Sequence, residues 1–162
     1  MTSKISIYAF TIFFIFGCTG HSSLNSSIRI VNQSLENQFS PMRLVIQKTG
    51  GGFVTKGEWA GRPGLSLVEL AEPILRSDLT RFIKEKCGFV ESQLLERRIV
   101  RHENPIFYEV WIYDDPESER DDKKSGITVV MKQLPKGGGI DVVFPGDCHG
   151  KEMPISIATS PN

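Results

Sequence analysis

Ile106-Phe107-Tyr108-Glu109-Val110-Trp111-Ile112-Tyr113 is the stretch that decides the fold. Side chains alternate across a strand, so Ile106, Tyr108, Val110 and Ile112 share one face while Phe107, Trp111 and Tyr113 share the other. Both faces are apolar, which places the segment at the centre of a sheet covered on two sides. One side is expected to carry a helix. The other is expected to carry the N-terminal hairpin or a partner molecule, and Phe107, Trp111 and Tyr113 are the candidate partner-binding surface.

Outward along the chain the same period of two recurs in Gln93 to His102, Ile127 to Leu134 and Ile140 to Phe144, all rich in β-branched and aromatic residues. Turn chemistry separates them at Glu103-Asn104-Pro105, at the charged run Asp114 to Lys124, and at Pro135-Lys136-Gly137-Gly138-Gly139. An antiparallel meander follows. Upstream, Met42 to Gln47 and Phe53 to Lys56 flank Thr49-Gly50-Gly51-Gly52, a hairpin signal. A phosphate cradle is excluded there by the missing Gly-Lys-Ser/Thr ending and the missing helix. Trp59, in a Gly/Pro-rich connection, is read as a lid over one end of the core, with an exposed ligand anchor as the alternative.

Ser66-Leu67-Val68-Glu69 is a capping box just ahead of a helical apolar period through Leu70, Ile74, Leu75, Leu79, Phe82 and Ile83. The spacing predicts a helix from about Leu67 to Lys86, ended by Gly88. Pro73 lies within that span, so the helix either kinks there or starts with Pro73 as its first residue. The fold class is therefore α+β, one helix packed on an antiparallel sheet of about four to six strands.

The chain has 162 residues, 40% hydrophobic and 23% charged, with 19 basic and 19 acidic side chains. Such a balance fits one folded domain, expected over 42–154, and excludes a basic nucleic-acid binder. The one long apolar run is Ile5 to Phe16, shorter than the ~20 residues a spanning helix needs. A polytopic membrane protein is excluded, and the run reads as the apolar core of a secretory signal.

Directly after it stands Ile15-Phe16-Gly17-Cys18, which resembles the lipobox of bacterial lipoproteins. The resemblance implies a signal peptide over 1–17, a diacylglyceryl group on the Cys18 thiol, cleavage before Cys18, and acylation of the new amino terminus. Two or more acyl chains hold a protein durably on a membrane. Retention at an inner membrane goes with Asp after the cysteine, and Thr19 stands there instead, so the resemblance implies the outer membrane of the cell envelope. The alternative is an ordinary signal peptide cut after Gly20, which would give a secreted protein and discard Cys18. The Ser/Asn-rich residues up to Pro41 are expected to be a tether over 18–41, with Ile28 to Val31 as a short edge strand. Residues 155–162 are expected to form a loose tail.

With Cys18 assigned to lipid, Cys87 and Cys148 remain in a chain exported to an oxidising compartment, and cysteine arithmetic pairs them in a disulfide. The alternative is a Cys148 thiol activated by His149; adjacent residues of an extended chain point to opposite sides, which favours the disulfide. Asp147, His149 and Glu152 do not define a metal site, and the acids of Asp114 to Lys124 lack the order of a calcium loop. Without a Gly-x-Ser-x-Gly elbow, no residue takes a catalytic role, and neither metal nor cofactor is expected. The expected function is that of a membrane-anchored binding or accessory protein with a protein partner in the envelope. A small-ligand carrier with a pocket between helix and sheet is the alternative.

Overall fold

The computed structural model describes residues 19–50, 52–70, 73–146 and 148. The signal segment 1–17, the lipid-attachment residue Cys18, the tail 155–162, and Asp147, His149 and Glu152 lie outside them. Among the described residues no helix is long and apolar enough to cross a membrane.

The central strand stands where its two apolar faces demand. A five-stranded antiparallel sheet runs in chain order from β3 (Arg62–Pro63) through β4 (Leu94–Glu103), β5 (Ile106–Asp114) and β6 (Lys124–Gln133) to β7 (Ile140–Val143). The middle strand is β5, hydrogen-bonded to β4 and β6 along almost its whole length. Asn104-Pro105, with a cis peptide bond, turns β4 into β5. Two bulges interrupt β4, between Leu94 and Glu96 and between Ile99 and Arg101.

The described residues of the expected helix form α2 (Leu67–Leu70) and α3 (Pro73–Cys87), on either side of residues 71 and 72, which lie outside the described ones; Pro73 opens the second, one of the two readings the sequence left open. Proline lacks a backbone N–H and is best tolerated in a helix's first turn, which suits Pro73 to that position. Val68, Leu79 and Ile83 of these helices bury Trp111, Tyr113, Val129 and Met131 on one face of the sheet. On the opposite face Tyr108, Val110 and Ile112 pack under Phe39, Trp59 and Ala60. The class is α+β, a helical layer on an antiparallel sheet, with a separate two-stranded sheet beside it.

That second sheet is the expected hairpin, β1 (Met42–Thr49) and β2 (Gly52–Trp59), paired from Met42–Trp59 to Thr49–Gly52. Ahead of it the chain departs from expectation. The segment expected as a tether with an edge strand is the helix α1 (Thr19–Asn37), packed along β1. Leu24, Ile28, Val31 and Leu35 recur at helical spacing and turn one stripe inward, with Ile28 and Leu35 buried. Asn32 fixes the helix to the strand, its side-chain amide hydrogen-bonding both backbone groups of Leu44. All of β2 except Trp59 is exposed, so α1 and the hairpin form an arm joined to the main sheet at its base.

The charged run after β5 is also more ordered than expected of a solvated tip. Asp115 and Ser118 are buried, and Ser125 donates to Asp115 at 2.6 Å. With these contacts β6 begins at Lys124, ahead of the expected Ile127.

Candidate functional site

The corner where α2 meets β5 holds the densest polar arrangement among the described side chains. Its centre is Glu109, fully buried on the same strand face as Trp111. Four donor groups converge on its two oxygens. Oε2 accepts from the Ser66 hydroxyl at 2.5 Å and from the Trp111 indole at 2.8 Å. Oε1 accepts from the Leu67 backbone at 2.7 Å and lies 2.9 Å from His102 Nε2. A buried carboxyl group is tolerated when its oxygens are satisfied in this way.

The capping box explains why α2 starts here. Ser66 Oγ accepts from the Val68 N–H at 3.3 Å, and Glu69 Oε2 accepts from the Ser66 N–H at 3.1 Å. The other Glu69 oxygen takes Arg97 Nη1 at 2.6 Å. Arg97 lies opposite Trp111 in the sheet, with its guanidinium 4.6 Å over the indole ring. Its Nε and Nη2 are buried without a hydrogen bond, the latter 4.0 Å from Glu91.

The arrangement acts as a clamp. Ser66 is wholly buried with its proton given to Glu109, so its hydroxyl is closed to a substrate from solvent. The Glu109 oxygens are engaged by donors from α2, β4 and β5, which fixes the first turn of α2 on the central strand. Outside that turn, Leu65, Leu70 and Ile74 expose 65%, 66% and 69% of their surface. Leu70 and Ile74 belong to the apolar period expected to face the core. Both are turned outward instead, and Leu75, Leu79 and Ile83 carry the stripe that packs on the sheet.

Trp111 and Tyr113 are 0% and 2% exposed, and Phe107 is half-buried against the same cluster. The expected Phe107, Trp111 and Tyr113 surface is thus corrected: it is the floor of the core beneath α2 and α3, because the helical layer takes that face. Tyr113 stacks on Phe89 at 5.0 Å between ring centres. Burial pushes the Tyr113 and Tyr108 hydroxyls well above their ordinary range.

Cys87 and Cys148 stand at disulfide distance, with Cα atoms 5.2 Å apart and sulfurs 2.06 Å apart. Beside them lies an open cleft of about 210 Å³, lined by Phe82, Ile83, Lys86, Ile127 and Phe144. It is smaller than the ~300 Å³ from which small-molecule sites usually start. No group of three or more potential metal ligands occurs among the described residues.

Sequence reasoning passed over Glu109, although a lone acid between apolar neighbours in a central strand is itself a signal for a buried, satisfied carboxyl group. No protein-family model, curated protein or solved structure matches the chain.

Proposed function

We propose that the protein is a lipid-anchored component of a bacterial cell envelope that works by binding another protein through the surface around α2. The observation that carries the reading is the exposure of Leu65, Leu70 and Ile74, three large apolar side chains near one another in sequence and each about two-thirds exposed. Contiguous exposed apolar surface marks sites of association, and these three side chains are proposed as one such surface. The Glu109 clamp beneath it supports the reading, since a surface held by buried hydrogen bonds loses little order on binding.

Anchoring follows the lipobox-like Ile15-Phe16-Gly17-Cys18, with the acyl chains on Cys18 and the outer membrane as destination. The partner is a protein of the envelope, either a machine to which this chain is an accessory or a foreign enzyme that it inhibits. A second reading, a carrier of small apolar ligands, draws on the cleft beside Cys87 and Cys148.

Crosslinking in intact cells, with mass spectrometry of the captured protein and of the N-terminal peptide, tests the proposal. The expected result is one recurrent envelope protein and an acylated Cys18. Leu70→Asp should lose the captured protein while keeping its melting temperature. Capture unchanged by Leu70→Asp would remove the α2 surface from the proposal. An apolar ligand carried through purification, with no recurrent protein, would favour the carrier.

A further inference from the structure

The arm places the end of α1 and the tip of the hairpin together. Asn32 is bonded to Leu44, and α1 and β1, joined at Asn37 to Met42, run in opposite directions. One and two turns back from Asn32, Ile28 is buried and Leu24 half-buried, which keeps the helix on the hairpin beyond that contact. From Asn32 back to Thr19 the helix rises about 20 Å. From Leu44 forward to Gly50 the strand covers about 20 Å as well. Thr19, the residue after Cys18, therefore reaches the same end of the arm as the turn of the hairpin.

That end is basic and apolar. Phe53 and Val54 are 47% and 46% exposed, and Lys48 stands directly across from Phe53 in the hairpin. Lys48 and Lys56 are exposed and have no acidic partner among the described residues. The nearest acid on the hairpin, Glu58, lies toward the base and pairs with Arg43 at 3.7 Å. Edge lysines discourage unwanted strand pairing. Pairing control does not account for a branched side chain, Val54, left about half-exposed near the tip.

We propose that the hairpin tip is a second membrane contact, in which Val54 and Phe53 enter the headgroup layer of an anionic bilayer while Lys48 and Lys56 meet its phosphates. The inference rests on the reading that Cys18 is lipidated, which brings the bilayer to the start of α1. Apolar side chains flanked by cations are the composition that seats in such an interface. With contacts at Cys18 and at the tip, the arm holds the main sheet about 20 Å from the lipid surface and keeps it from swinging freely.

The test uses the full lipidated chain, purified from cells in detergent and placed in vesicles of phosphatidylethanolamine and phosphatidylglycerol with brominated acyl chains. Val54→Trp should be quenched by the bromines roughly twofold more than Val143→Trp, a position on the main sheet that is somewhat more exposed than Val54. Lys48→Glu with Lys56→Glu should remove that extra quenching. Mass spectrometry of the Cys18 peptide from the same sample separates the two ideas. An acylated Cys18 with Val54→Trp quenched no more than Val143→Trp overturns the tip contact and leaves the anchor standing. A Cys18 without lipid overturns the anchor, and the tip contact with it.

Discussion

Trp59 packs on Gly126 so closely that a Cβ on the glycine would come within 2.4 Å of the indole ring. The contact joins the base of the arm to β6, and the Arg120 guanidinium covers the ring 4.4 Å away. Because the obstructing atoms belong to a rigid ring, Gly126→Ala must displace the whole indole. The expected loss is about 1–3 kcal/mol of unfolding free energy, the usual range for overpacking. Urea unfolding measures it, and the loss should shrink when Trp59→Leu is made first.

Glu109→Ala would strand the Ser66 hydroxyl, the Leu67 N–H and the Trp111 indole N–H in a buried corner. A stability loss of about 3–5 kcal/mol is expected, as for a buried network that loses one member. Ser66→Ala, which leaves Glu109 with its other donors, should cost about 1 kcal/mol, in the range of a lost helix cap. Denaturant midpoints decide the order. Equal losses in the two variants would mean that Ser66, not Glu109, organises the corner.

What was legible in the chain was local. Each strand of the meander carries its own period of two and its own turn residues, so Gln93 to His102 and Ile106 to Tyr113 fall within a residue or two of β4 and β5. Helix α1 was hidden because Ser and Asn favour loops by themselves; its stability comes from a stripe laid on β1 and from Asn32 meeting Leu44. The two apolar faces of β5 announced two covering layers without saying which face takes the helix; Trp111 and Tyr113 lie under the helices, and Tyr108, Val110 and Ile112 under Phe39, Trp59 and Ala60. Leu70 and Ile74 fit a buried helical stripe by spacing alone, yet both are exposed while Leu75, Leu79 and Ile83 pack on the sheet. Glu109 was visible as an anomaly, but its partners Ser66 and Leu67 come from a distant part of the chain.

Alkali should unfold the protein through its tyrosines. Burial raises Tyr108 and Tyr113 above the ordinary value near 10. In the unfolded chain both ionise near that value, so above about pH 10 the unfolded state binds fewer protons than the folded one. Their contribution is therefore complete below pH 10 and declines as pH rises beyond it. The sequence has 3 tyrosines, and the third, Tyr8, lies in the expected signal peptide. A chain beginning at Cys18 should show no tyrosinate absorbance near pH 10 until it unfolds, and Tyr113→Phe should flatten the alkaline loss of stability. Tyrosinate appearing near pH 10 while the fold is intact would contradict the burial of both rings.

Cys87 ends α3 and Cys148 follows β7, so a bond between them ties the helical layer to the far edge of the sheet. The closed loop has a sequence separation of 61. Loops of that size restrict the unfolded chain by about 4 kcal/mol in the chain-entropy model, comparable to a large share of a domain's stability. Reductant and Cys87→Ala remove the same constraint, so each should lower the melting temperature by the same amount, and reductant should do nothing further to the variant. A wild-type protein indifferent to reductant would show the thiols unbonded. A loss in Cys87→Ala well beyond that caused by reduction would instead assign Cys87 a packing role beside Phe82 and Phe144, which stack at 4.4 Å where the cleft opens.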